Sequence, residues 1–455
     1  MKNKSGFISM SLVYSFLIIF LFLMTAIIDC YLKKNTYLEA LDKQVSEDIG
    51  ITQEAKSSIF KTILEDNIAL RTTTLDYKKI SNNSVKNGNG LYYVDETNET
   101  DENDDGYGTK IYFYRGTVDN NNVIFGSKVT RKADGTIDTQ KDMCWKIIRT
   151  NEDGSVRLIY NGLANNNTCP GTTPYIGDSI YNYLIITEKA DGTKENNYYD
   201  DDNAYVGFTY GSAGVTNTSG DTSEDTITSL QEQTHYHIGE DSIDSDIKKA
   251  LEKFFVNETN LYYSTELNYK KGTEEIYMQD EEVANAVYCN NRSIYSPEVT
   301  ETLPTDLNIT NSKLGYGIEE TLYDGVSSIM GRPSYVCKPG YNRYTLSTIM
   351  GGTNENFNAL DYAIGLPTVD DIIFAGGAYQ TVNNGYYLKT GAAYWTMTPA
   401  GFINGKAEMF YVDSNGQINK TSTLTSLKVR PVISVEQNVL VKKGIGTKEE
   451  PYILK

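Results

Sequence analysis

Histidine is nearly missing from these 455 residues: there are 2, His235 and His237, close together in Thr234-His235-Tyr236-His237. Histidine-centred chemistry would have to use that one pair. On a strand, H-x-H places both rings on one face, but no cysteine stands near them, and Asp and Glu are too common here to mark ligands. The pair reads as loop histidines. Tryptophan is as scarce, with Trp145 and Trp395 alone, each at the start of a strand pattern and read as core. The chain has no G-x-S-x-G elbow, no P-loop and no H-E-x-x-H, which removes the short motifs of hydrolases, nucleotide binders and zincins. Positive charge is short too. Against 60 Asp and Glu there are 41 Lys and Arg, a net charge of −19. Nucleic-acid-binding domains carry basic patches, so no nucleic-acid partner is expected. No catalytic residue, cofactor or metal ligand is singled out.

What is abundant is tyrosine, 36 residues against 14 phenylalanines. Tyrosine supplies core bulk while keeping its hydroxyl at a wet boundary. Of the 5 cysteines, Cys30 stands apart, and Cys144, Cys169, Cys289 and Cys337 fall in the distal part. An even set invites disulfides, and four cysteines allow three connectivities. Order favours Cys144–Cys169 and Cys289–Cys337.

The N-terminal stretch KNKSGFISMSLVYSFLIIFLFLMTAII, residues 2–28, carries no charge from Phe7 to Ile28. As a helix it would reach roughly 33 Å, against a bilayer hydrocarbon thickness of about 30 Å. A secretory apolar region is about 7–15 residues long and ends at an A-x-A-like site, which is lacking here. A membrane helix over 7–28 is expected. Lys2 and Lys4 before it balance Lys33 and Lys34 after it, so charge does not set its orientation. Gly6-Phe7 behind Lys2 and Lys4 resembles the leader junction of type IV prepilins. The resemblance implies a leader over 1–6 cut between Gly6 and Phe7 by a prepilin peptidase, and a bacterial cell-membrane location with the distal domain outside. The family's glutamate five residues into the mature chain is Ser11 here, which argues against polymerisation.

Residues 29–72 read as a helical stalk, with Leu38, Leu41, Val45, Ile49, Ile59 and Ile63 at helical spacing. Residues 73–106 read as an acidic, Asn-rich linker of the kind that cannot bury enough apolar surface to order itself. Within it, Asp101-Glu102-Asn103-Asp104-Asp105-Gly106 fits the first half of a calcium loop. Tyr112 stands where the bidentate glutamate belongs, so the stretch is taken as linker. After Lys110 the pattern turns to strands. CWKIIRT and SVRLIYNG flank a turn at Asn151-Glu152-Asp153-Gly154, and a second hairpin turns at Asp413-Ser414-Asn415-Gly416. Two helices are expected, one from Asp244 to Phe255 and one opened by Thr368 with Asp371 completing a capping box. Residues 178–240 read as a loop-rich insertion, and Arg430-Pro431 as a buried arginine bonded to carbonyls near a late strand.

The ordered series CWKIIRT, SVRLIYNG, YVGFTYG, IKKALEKFF, YCNNRS, GLPTVDDIIFAGG, YWTMTP, FYVDSNGQI and VRPVISV is similar to uncharacterised bacterial surface domains. These are related to the formylglycine-generating-enzyme branch of the C-type-lectin-like folds. The resemblance implies an α+β domain over 107–440, with short antiparallel strands, two helices and long loops, followed by a C-terminal tail over 441–455. Enzymes of that branch hold copper with a late cysteine pair, and no cysteine follows Cys337 here. The expectation is therefore a membrane-anchored recognition or adhesion protein and not an enzyme, its extracellular glycan or protein ligand held by loops in 178–240 and 376–405. The alternatives are a minor pseudopilin, structural in a pilus or secretion assembly, and an enzyme of the formylglycine-generating type.

Overall fold

The computed structural model describes residues 57–71, 75, 77, 88–96, 109–182, 185–189, 191–198, 200, 207–210, 243–262, 269–271, 274–276, 282–290, 294–295, 315–316, 333–335, 342–346, 357–403 and 406–454. The chain divides into units 1–56 and 57–455, and the first lies outside the described residues.

Two sheets organise the second unit. The larger has nine strands, and its spine is the 14-residue strand Ile137–Thr150. Its first half is exposed and pairs with Asn122–Arg131 in a hairpin. Its second half, from Met143 to Thr150, is buried throughout. There it lies antiparallel to Val156–Leu163, which in turn pairs with Val432–Val435. A strand covered on both faces reads as a near-continuous apolar run, and CWKIIRT is one apart from Lys146 and Arg149. The smaller sheet has six strands in the order Ala378–Tyr379, Gln417–Ser422, Lys406–Val412, Tyr394–Ile403, Leu427–Val429 and Gly177–Ser179.

Both hairpin turns form as their residues require. Gly154 and Gly416 have φ of 81° and 79°, a region L side chains rarely adopt. Asp413 Oδ1 accepts from the Asn415 and Gln417 amides at 2.8 and 2.9 Å. Both tryptophans are fully buried in the main core. Trp145 Nε1 donates to Phe125 O at 2.8 Å and Trp395 Nε1 to Ser179 O at 2.9 Å, so each ring is apolar packing with its one donor satisfied.

The described residues form 26 strands and 3 helices: α1 (Ile59–Asp66), α2 (Asp246–Glu258) and α3 (Val369–Ala375). This corrects the expected fold class. The protein as described is mostly β, not an α+β domain on a membrane helix and helical stalk. No helix among the described residues is long and apolar enough to cross a membrane, and the single-pass location in a bacterial cell membrane is not carried further. The apolar run over 7–28 and the junction Gly6-Phe7 lie outside the described residues. Length shows how far a helix could reach, not that one forms.

The stalk is corrected on packing as well. Ile59 and Ile63 of α1 are buried in the main core, and the Ile59 amide donates to Val439 O at 2.8 Å. A helical stripe reports that one face is buried, but not against what. Residues 441–455, set off as a tail from the sequence, supply two strands of the larger sheet. Tyr452–Leu454 runs parallel to Asn122–Arg131 on one side and pairs with Val441–Lys443 on the other.

Cys144 and Cys169, both fully buried and 25 positions apart in sequence, are joined by a disulfide with Cα atoms 5.6 Å apart. Restricting a loop of that size in the unfolded chain is worth about 3 kcal/mol. Replacing both cysteines by alanine should lower urea stability by about that much, without loss of a cooperative transition. A double variant as stable as the parent would show that the bond holds nothing the core does not already hold.

Candidate functional site

The short helix α3 opens on Thr368, and the expected capping box is formed. The Thr368 amide donates to Asp371 Oδ2 at 2.9 Å, and the Asp371 amide donates to Thr368 Oγ1 at 3.1 Å. Asp371 is fully buried, and its remaining oxygen accepts from Arg149 Nε at 3.0 Å. The Arg149 guanidinium lies 4.2 Å from the ring centre of Tyr335 and donates to Thr150 O through Nη1. At the other end of α3, Arg115 Nη1 donates to Ile373 O at 2.7 Å and Phe374 O at 3.0 Å. A cation at a helix C-terminus meets carbonyls that have no partner within the helix.

Arg430 takes the role its place near a late strand suggested. It donates from Nε to Tyr160 O and from Nη1 to Leu388 O, both at 3.0 Å, and lies 5.4 Å from the Tyr394 ring centre. Lys146 Nζ donates to Asn121 Oδ1 at 3.2 Å and sits 5.8 Å from the Tyr387 ring centre. Burial, aided by the charges of Arg430 and Lys448 and opposed by Asp119, brings its pKa down to about 7. Arg157 is directly opposite Arg149 in the ladder between Val156–Leu163 and Ile137–Thr150. It is fully buried, 4.6 Å from the Tyr288 ring centre, and donates from Nη2 to Val287 O. Burial and the neighbouring Arg149 bring its pKa down to about 10.

Among the buried described residues the cations are Arg115, Lys146, Arg149, Arg157, Lys248 and Arg430, and the one carboxylate is Asp371. A chain of net charge −19 thus encloses a cationic interior shelved by tyrosines. Buried charge is costly unless paired, so these groups are the most constrained chemistry of the described protein. They offer N–H donors and π faces suited to planar anions.

A second charged cluster lies on α2. Asp244, Glu252 and Asp361 bring their carboxylates close enough to hold a cation. Lys248 Nζ already stands among them, 2.8 Å from Asp244 and 3.4 Å from Asp361, and paired with Glu252 as well. The ammonium is the cation this cluster was built around. Burial lifts the Glu252 carboxyl to about 7 against the pull of Lys248. Lys248 is itself held above its ordinary pKa, because Glu252 and Asp244 outweigh its burial.

Several positions singled out from the sequence lie outside the described residues: Gly6, Phe7, His235, His237, Cys337 and Asp101-Glu102-Asn103-Asp104-Asp105-Gly106. Tyr112 is in the strand Thr109–Arg115, and Cys289 is disulfide-bonded. The loop over 376–393 is tied down rather than projecting. Asn383 Nδ2 donates to Gly376 O at 2.7 Å, Tyr386 Oη to Gly416 O at 3.0 Å and Thr117 Oγ1 to Gly385 O at 2.7 Å. The residues that sequence reasoning missed are Arg115, Lys146, Arg149 and Arg157. Their signal was present, since three of them interrupt the apolar runs CWKIIRT and SVRLIYNG. No family model, curated protein or solved structure matches the chain, so the reading rests on its own residues.

Proposed function

We propose that the protein is a non-catalytic recognition module whose long inserted segments, mounted on the two-sheet scaffold, bind a glycan or protein ligand. The observation that carries this reading is how those segments leave the scaffold. Residues 211–242 depart from Thr209–Tyr210 and return at Ile243–Asp244, two strands paired Thr209↔Asp244 and Tyr210↔Ile243. Ser245, next in the chain, donates to Phe208 O at 2.6 Å and caps α2 by accepting from the Lys248 amide. The neck is thereby fixed to a helix packed in the core. Residues 296–314 leave through a second such ladder, Ile294–Tyr295 with Gly315–Tyr316. Residues 291–341 as a whole leave through a third, Tyr288–Asn290 with Asn342–Leu346. Binding residues concentrate on connections held by a rigid scaffold, and pinned necks supply that support. The disulfide suits an oxidising compartment, where recognition modules work.

The test is binding of the full-length chain to glycan and protein arrays, beside a variant in which a short glycine-containing turn replaces residues 211–242. Thr209 and Asp244 already face each other, so the turn need only close a formed ladder. Binding should fall at least tenfold, about 1.4 kcal/mol, while the thermal midpoint stays put. Undiminished binding by the folded variant would remove that segment as the site. Steady turnover of a substrate by the purified protein would remove the reading itself.

A further inference from the structure

Lys248 of α2 is shared by carboxylates from three elements. Glu252, one turn along the helix, is the nearest; Asp244 lies 2.8 Å away and Asp361 3.4 Å. Asp244 ends the strand on which the chain returns from residues 211–242. Asp361 follows the strand Phe357–Leu360, which runs parallel to Asn342–Leu346. That partner is the strand on which the chain returns from residues 291–341. Beside Asp361, Tyr362 packs on Phe255 of α2 with ring centres 5.9 Å apart, which keeps Asp361 against the helix. One buried ammonium on α2 therefore reaches the necks of both inserted segments.

We infer that Lys248 and its three carboxylates form a proton-operated clasp, which holds both necks more firmly when the cluster takes up a proton. Charge gives the reason. Three carboxylates around one ammonium leave a net charge of −2, and like charges this close favour the protonated form of one of them. Glu252 is that one, because its side chain is the least exposed, 16% against 28% for Asp244 and 60% for Asp361. Burial raises its carboxyl to about 7; Lys248 opposes this, and Asp244 and Asp361 assist it. Once neutral, Glu252 competes less for the ammonium, which then serves Asp244 and Asp361. With Glu252 ionised, all three carboxylates compete for it and repel one another. Elsewhere on α2, Lys249 is paired with Asp246 and Glu258 with Lys128, and neither pair acts on Glu252. The clasp needs no ligand; only its use, firmer capture below neutral pH, rests on the recognition reading above.

The experiment is amide hydrogen exchange of the full-length chain, read at Thr209–Tyr210 and Ile243–Asp244 and corrected for the intrinsic pH dependence of exchange. Protection there reports opening of the neck. When the neck opens, Glu252 meets water and loses Asp244, so its pKa falls back toward 4.5 from about 7. Acid thus favours the clasped state, and opening should fall severalfold, up to about tenfold, from pH 8.5 to pH 6. Glu252→Gln keeps the shape without the charge. It should be protected at pH 8.5 as the wild type is at pH 6, with no pH dependence left. A neck protected equally at both pH values overturns the proposal, as does a pH dependence that survives in Glu252→Gln. If Glu252→Gln does not fold, Asp361→Asn at the surface takes its place. With one negative charge fewer, the midpoint of the change should move to lower pH, and an unmoved midpoint overturns the proposal. No ligand enters the measurement, so blank arrays leave the clasp standing, and a neck indifferent to pH leaves the recognition reading standing.

Discussion

Asp371→Ala should lower stability by about 3–5 kcal/mol from the stranded Arg149 charge and about 1 kcal/mol more from the broken capping box. Few single substitutions in this protein should do more, because Asp371 serves two structures at once. One oxygen closes the first turn of α3, and the other balances a guanidinium buried in the larger sheet. Removing a carboxylate leaves a buried cation uncompensated, whereas removing both partners leaves only apolar surface to be filled. Arg149→Met combined with Asp371→Ala should accordingly recover about 1–3 kcal/mol relative to Asp371→Ala alone. Urea unfolding of the two single variants and the double variant measures this. A loss below about 1 kcal/mol for Asp371→Ala would mean that Arg149 is not held as described.

Stability should rise with pH between 7 and 9, by about 2 kcal/mol, because of Lys146. The folded-state pKa is depressed to about 7 from an ordinary 10.5. Within that window the unfolded chain binds the proton that the folded chain has lost, so raising pH favours folding; below the folded pKa the penalty is complete and constant. Three other strongly shifted groups act outside the window. Glu252, raised to about 7, acts below it. Tyr160, raised to about 12, and Arg157, lowered to about 10, act above it. In Lys146→Met the rise should vanish, and the variant should be more stable than the parent at pH 7. A parent profile flat from pH 7 to 9 would show that Lys146 keeps its charge in the fold.

Features decided within a few residues of chain were readable from the sequence. The Thr368–Asp371 capping box depends on residues three apart, and the turns at Gly154 and Gly416 depend on one glycine each. The Cys144–Cys169 bond and the buried Trp145, Trp395 and Arg430 were legible too. Features decided by distant partners were not. The stripe of Ile59 and Ile63 fits a stalk as well as a helix against a sheet, and only contact with Val439 separates the two. Arg149 meets its counter-charge 222 positions away, a pairing no periodicity announces. The run CWKIIRT read as a strand; that both its faces are covered, leaving Lys146 inside, follows from layers that the local pattern does not contain.

The parallel ladder between Tyr452–Leu454 and Asn122–Arg131 has a consequence in time. Val123 and its partner Tyr452 are roughly 330 positions apart. At a synthesis rate of about 5–20 residues per second, roughly 15–65 s elapse between the making of one strand and the arrival of the other. The Asn122–Arg131 hairpin and the Cys144–Cys169 bond can both form near the start of that interval, since their partners are already made. The outer edge of Asn122–Arg131 meanwhile presents unpaired amides and carbonyls to whatever is nearby, and such an edge templates pairing with other chains. The nascent protein must spend that interval shielded, whether by a chaperone or by its own chain.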